Sequence, residues 1–141
     1  MITCTRRIQF CAGHRVVGHE NKCANVHGHN YVALITAEAP TLDSVGRVVD
    51  FSVLKEKIGG WIDQNWDHTF IAGPGENNQL LARIEEINNK PVFHLPLNPT
   101  AENMAKHLLY SVCRSLLSNT DVEVIGVRIW ETENCYAEAL L

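Results

Sequence analysis

The segment KCANVHGHNY, residues 22–31, constrains the fold of this chain more than any other stretch. His27 and His29 flank Gly28, and the run that follows, residues 31–37, is apolar and β-prone. Residues i and i+2 of a strand project from one face, so both imidazoles can reach a single point. A third histidine, His14, lies just beyond another strand-like segment. The three rings meet only if the two strands are neighbours, which predicts a hairpin closed by the polar, turn-rich residues 15–25. Three imidazoles suit zinc, and three protein ligands leave a fourth position for water or substrate, the pattern of a catalytic rather than a structural site. The alternative is two ordinary strand histidines with no metal between them. Cys23, four residues before His27, has two readings: a fourth ligand closing the site, or a base or nucleophile beside an open one. Three histidines already complete an open site, which favours the second.

A chain of 141 residues, 45% hydrophobic and 20% charged, is long enough for one domain with its own core, here residues 1–141, and too short for two. The net charge of -4, with both signs interspersed, argues against a nucleic-acid partner. No run approaches the roughly 18–20 apolar residues of a membrane span, and MITCTRRIQF has no secretory pattern. The expected compartment is cytoplasmic. The five cysteines, Cys4, Cys11, Cys23, Cys113 and Cys135, do not form a disulfide framework, and all but Cys23 read as small apolar fillers.

In order, residues 2–11 read as a strand broken by Ala12-Gly13, with His14 at its mouth, and residues 26–39 as a second strand ended by Pro40. Asp50 is placed to cap a helix whose stripe is Phe51, Leu54, Ile58, Trp61, Ile62 and Asn65, with a bend or close packing at Gly59-Gly60. That helix ends near residues 66–68. After the turn AGPGENN, residues 79–87 read as a short helical piece and 91–97 as a brief apolar segment with strand character. NPTAEN opens a helix with Asn98 or Thr100 as cap and Met104, Leu108, Val112 and Leu116 on one side. Residues 121–130 and 135–140 read as a closing pair of strands. The order ββααββ predicts an α+β fold, a four-stranded antiparallel sheet with two helices on one face. Such a sheet has open edges and a bare face, which suggests oligomerisation.

Two further positions could carry chemistry. Asp67-His68 is either a helix end with a histidine near the negative dipole, or a carboxylate that orients an imidazole for proton transfer. Glu131 falls in phase with the apolar face of its strand, so it is either turned to solvent at the strand end or paired with donors. His19, His94 and His107 read as surface or helix-face residues, and Trp61 and Trp66 as core or interface aromatics.

Together the motifs FCAGHR, KCANVHGHNY, VVDFSVLK, WDHTFI, NPTAEN and VRIWET, in that order along nearly the whole chain, resemble the 6-pyruvoyl- and 6-carboxy-tetrahydropterin synthase family. The resemblance implies the tunnelling fold (T-fold), with trimers that close a β-barrel and commonly stack as hexamers, so that active sites lie at subunit interfaces of a homo-oligomer. It implies His14, His27 and His29 as ligands of Zn2+, and Cys23 with Asp67 and His68 as the catalytic proton-transfer group, the last two contributed across a subunit interface. It implies Glu131 as the anchor of a small-molecule pterin, accepting from its 2-amino and ring N–H groups. The implied substrate is 7,8-dihydroneopterin triphosphate. The carboxy branch releases acetaldehyde and triphosphate and leads to queuosine; the pyruvoyl branch keeps the side chain. The short loop between His14 and His27 resembles the compact bacterial carboxy type, whereas the long 67–99 region departs from its most compact members. Members that replace the cysteine perform aldolase-type cleavage, and Cys23 argues against that variant. The other class of reading is a non-catalytic zinc- and pterin-binding subunit. For the triphosphate, Lys22, Arg15 and Lys90 are the candidate cations.

Overall fold

The computed structural model describes residues 1–141. Strands β1 (Cys4–His14) and β2 (His27–Glu38) pair antiparallel along their whole length, ending with His14 opposite His27. Strand β1 does not break at Ala12-Gly13 as the sequence suggests. Gly13 faces Gly28 across the pair, and a Cβ at Gly28 would stand 3.1 Å from the Ala12 carbonyl oxygen. The glycines permit this close backbone approach, so the ladder stays intact to the end that carries the histidines. The connecting loop contains one 3-10 turn, Lys22–Ala24, and is tied across by the Val16 N–H on the Cys23 carbonyl at 2.7 Å.

Helix α1 spans residues 51–65, with α-helical Phe51–Leu54 and Gly60–Asn65 joined by a π turn, Lys55–Gly59. The Asp50 carboxylate caps it, accepting from the Ser52 N–H at 2.9 Å. Leu54, Ile58 and Ile62 are fully buried, whereas Phe51, expected on the stripe, is exposed. The π turn ends at the glycine pair, where buried Gly59 lies against Ile8 of β1. Strand β3 (Thr69–Ala72), helix α2 (Asn78–Asn88) and strand β4 (Phe93–His94) follow. Helix α3, residues 101–116, is capped by the Thr100 hydroxyl, which accepts from the Asn103 N–H. Strands β5 (Glu123–Thr132) and β6 (Cys135–Leu140) close the chain.

The strand order is β4-β3-β1-β2-β5-β6, with β3 parallel to β1 and β4 parallel to β3. The expected four-stranded antiparallel sheet with two helices is therefore only its inner part. The sheet is mixed and six-stranded, there are three helices, and the order is ββαβαβαββ. All four residues of β3 are buried and β4 has two residues, so neither shows the alternation by which a half-exposed strand is recognised.

Helices α1 and α3 cover one face. Ile8 and Phe10 of β1, Tyr31, Ala33 and Ile35 of β2, and Val127 and Ile129 of β5 pack there against Ile58, Ile62, Met104 and Leu108 in one core. Helix α2 closes a smaller cluster of Phe70, Ala72, Leu81 and Val92. Phe70 and Ala72 point to the opposite face of β3, so α2 covers that face there; over β1, β2, β5 and β6 it has no helical cover and presents Arg7, Val32, Leu34, Trp130 and Tyr136. No helix is long and apolar enough to cross a membrane.

Candidate active site and metal centre

The β1/β2 register brings His14, His27 and His29 to one end of the covered face, and β5 adds Glu131 beside them. His14 Nδ1 lies 2.7 Å from the Pro99 carbonyl oxygen and His27 Nδ1 lies 2.6 Å from that of Asn25. A carbonyl only accepts, so both Nδ1 atoms carry the proton, and in the neutral rings both Nε2 atoms present lone pairs. Those two Nε2 atoms lie 3.2 Å apart, and His27 Nε2 lies 3.0 Å from His29 Nε2. Lone pair facing lone pair at this distance requires a positive charge between them. Burial pushes the pKa of His14 below the ordinary imidazole range, which disfavours a second proton on its Nε2. A metal cation satisfies the arrangement. A tetrahedral site with metal–nitrogen bonds of about 2.0–2.1 Å has edges of about 3.3–3.4 Å, within a few tenths of an ångström of the spacing here. The donor set fits zinc.

Glu131 Oε1 is 2.8 Å from His29 Nε2. The carboxylate is thus paired with an imidazole rather than turned to solvent, which accounts for a charge in phase with apolar Ile129. Tyr31, two residues beyond His29 on the same face, sets its ring edge-on to His14 and His29. Its buried hydroxyl has no hydrogen-bond partner in the protein. Burial first, then the charges of Glu131 and Cys23 nearby, push its ionisation far above the ordinary tyrosine range. Cys23 stands on the 3-10 turn, close enough to act on Tyr31 but outside the group of ligating atoms.

Asp67 and His68 form a second cluster, with Cys11, on the other face of β1. Asp67 Oδ1 accepts from the Cys11 N–H at 2.9 Å, Asp67 Oδ2 is 3.0 Å from His68 Nδ1, and the His68 N–H donates to the Cys11 carbonyl at 2.6 Å. Partial burial works against ionisation of Asp67, but the Cys11 and His68 donors outweigh it, and its pKa lies below the usual carboxylate range. His68 is held at φ 56 with its side chain 77% exposed. Reading Cys11 as an apolar filler is therefore a miss. It alternates with buried Phe10 and Ala12, and that phase was the available signal. The filler reading does suit Cys113, whose thiol burial pushes up to about 12.

Two of the three candidate cations are engaged. Arg15 Nε donates to both oxygens of Glu76 at 2.9 and 3.0 Å, and Lys90 Nζ donates to the Asp67 carbonyl at 3.1 Å. The Arg15 guanidinium holds the Glu76 carboxyl below its usual range. A cleft of about 790 Å³ on the bare face reaches His29 and Glu131 from Trp130 and Arg7. A smaller one, about 420 Å³, passes over the Gly13/Gly28 pair and is bordered by His27, His29 and His68.

The family model described as 6-pyruvoyl tetrahydropterin synthase matches residues 3–140. The chain is 44% identical over 138 residues to a 6-carboxy-5,6,7,8-tetrahydropterin synthase of Rickettsia bellii, covering 98% of this chain and 99% of that one. Among solved structures, an uncharacterized protein from Wolinella succinogenes superposes with a TM-score of 0.80 at 23% identity, covering 99% of this chain and 97% of the other. The 6-pyruvoyl tetrahydropterin synthase of Caenorhabditis elegans does so with a TM-score of 0.68 at 24% identity over 99% and 95%. These two likenesses concern the fold. The match over nearly the whole length, and the identity to the Rickettsia protein, show that this chain belongs to the 6-pyruvoyl tetrahydropterin synthase family.

Proposed function

We propose that this chain is a zinc-dependent lyase of the tunnelling fold. It would convert 7,8-dihydroneopterin triphosphate to 6-carboxy-5,6,7,8-tetrahydropterin, releasing acetaldehyde and triphosphate, on the route to queuosine. The observation that carries the reading is the set of three imidazoles with converging Nε2 atoms beside Glu131. The carboxy product is favoured by the name of the Rickettsia relative and by the intact Cys23.

His14, His27 and His29 would hold the zinc. Bound there, it supplies Lewis acidity to oxygens of the substrate side chain and makes the adjacent C–H more acidic. Cys23 would exchange a proton through Sγ. His68 would do so through Nε2, because its Nδ1 is committed to Asp67 Oδ2, and Asp67 fixes that tautomer. Glu131 anchors the pterin. Its bond to His29 needs a proton on Nε2, whereas a metal would need the lone pair of the same atom, so with His29 as a ligand the Glu131 carboxylate would be free to accept from the pterin 2-amino and ring N–H groups. The mostly exposed His68, on the far face of β1, serves the site of a neighbouring copy in a homo-oligomeric trimer or hexamer.

Incubation of the zinc-loaded protein with dihydroneopterin triphosphate, with products identified by mass, tests this. The expected products are the 6-carboxy pterin and acetaldehyde. A product that keeps all side-chain carbons would assign the pyruvoyl activity instead, and turnover below detection would leave a binding subunit.

A further inference from the structure

We propose that Cys11, Asp67 and His68 form a second metal site, which takes a thiophilic divalent cation such as Zn2+ or Co2+. The Cys11 Sγ, a carboxylate oxygen of Asp67 and a ring nitrogen of His68 all lie within 4.8 Å of one another. One sulfur, one oxygen and one nitrogen donor form a set that zinc and cobalt accept, with water completing a tetrahedron. The sulfur–nitrogen edge of such a tetrahedron is about 3.6 Å with bonds of about 2.3 and 2.1 Å, so at most about an ångström of adjustment is needed. The exposed His68 ring has room to make it.

The backbone fixes the three donors relative to one another before any metal arrives. The Cys11 N–H holds Asp67, the Cys11 carbonyl holds the His68 N–H, and Lys90 holds the Asp67 carbonyl. His68 keeps a left-handed backbone that is sparsely populated by non-glycine residues and that recurs at functional positions. Asn30 adds the last element. Its Oδ1 accepts from the Cys11 thiol at 2.8 Å, and half a turn of the amide would offer Nδ2–H to the thiolate that a metal requires. This site is independent of the histidine cluster, because Cys11 and His14 are three residues apart on one strand and project from opposite faces. Within one chain its donors are more exposed than the three-histidine set, which includes buried His14, so it should hold its metal more weakly.

Occupancy would immobilise both members of the proton-transfer dyad, so excess zinc should inhibit turnover. This consequence rests on the proposed lyase activity; the metal count does not.

Metal-stripped full-length protein titrated with Co2+ should bind two equivalents per chain, the weaker one with a thiolate-to-cobalt charge-transfer band. Cys11→Ser and Cys11→Ala should each bind one equivalent without that band. His27→Ala should lose the tight equivalent and keep the band, and Cys23→Ala should keep both. A single equivalent in the parent, a band that survives in both Cys11 variants, or one that disappears with Cys23→Ala would overturn the assignment. With zinc added beyond the first equivalent, the turnover of the parent should fall at least fivefold while Cys11→Ser is unaffected. Equal inhibition of the two would remove the inhibitory role.

Discussion

Proton inventory decides what the histidine cluster does. His14 and His27 have spent their only neutral-state protons on Pro99 and Asn25, so their facing Nε2 atoms ask for a cation. Glu131 then separates two roles for a carboxylate. As substrate anchor, Glu131→Gln should keep one tight metal equivalent by elemental analysis while turnover falls at least a hundredfold, since one amide cannot accept the pair of hydrogen bonds that a carboxylate can. Loss of the tight metal in that variant would make Glu131 a ligand. The pH dependence has a definite sign. Burial lowers the folded-state pKa of His14, His29 and His107 below about 6.5, so below that pH the unfolded chain binds protons first. Stability present above about pH 6.5 is lost on acidification toward the folded values. In EDTA the thermal midpoint should drop from pH 7 to 5.5, and the drop should be smaller in His107→Phe, whose ring sits among Trp61, Trp66 and Phe93. Parallel curves for parent and variant would contradict the role of His107. His14, His27, His29 and Glu131 were legible in the sequence because strand spacing and phase are written in residue types. The Pro99 carbonyl was not, because a backbone acceptor 85 residues from its donor leaves no mark in composition. The contact of Cys11 with Asp67, 56 residues away, was hidden in the same way.

At the scale of elements, the important addition is β3, whose parallel pairing with β1 sets Ala12 opposite Thr69 and places Asp67-His68 against Cys11. The inner hairpins and helices α1 and α3 could be read from alternation and from 3.6-residue periodicity. Residues 91–97, which contain β4, read as strand-like from their apolar run, whereas β3 could not be read, since a short run buried on both faces has no period. The loop from β3 to α2 is anchored by the enclosed Glu76 carboxylate to Arg15, the first residue after β1, a pairing that no local pattern reveals. The turn between α1 and β3 holds His68 at positive φ, where glycine is the relaxed choice. His68→Gly should therefore retain stability to within about 1 kcal/mol in urea unfolding, because relief of backbone strain offsets the added freedom of the unfolded chain. Turnover in the same protein should fall by about 10²–10⁴-fold, the range expected for loss of a general acid–base group. A large loss of stability would make His68 a structural residue of the turn.

At the scale of the whole molecule, the sheet is finished on one face and, on the other, only over β3, where α2 packs. Helices cover Phe10, Tyr31 and Ile129, whereas the other face carries Trp130 tilted against Tyr136 with ring centroids 4.5 Å apart, Arg128 over the Tyr136 ring, and Leu140 more than half exposed. Strands β4 and β6 are the two edges, and β6, with six residues against two, is the longer. The Leu141 N–H donates inward to the Ile125 carbonyl, so by antiparallel alternation the N–H of Leu140 points away from β5 toward whatever pairs with the edge. Proline at that position removes an outward donor while leaving the inward ladder intact. If copies of the chain join edge to edge and complete one another's sites, Leu140→Pro should sediment as a folded monomer where the parent is oligomeric. It should retain its tight metal, because His14, His27 and His29 come from one chain, and it should lose turnover, because His68 would no longer reach a neighbour. A monomeric variant with full turnover would place Cys23 and His68 of the same chain in one site. A variant that stays oligomeric would move the interface away from β6.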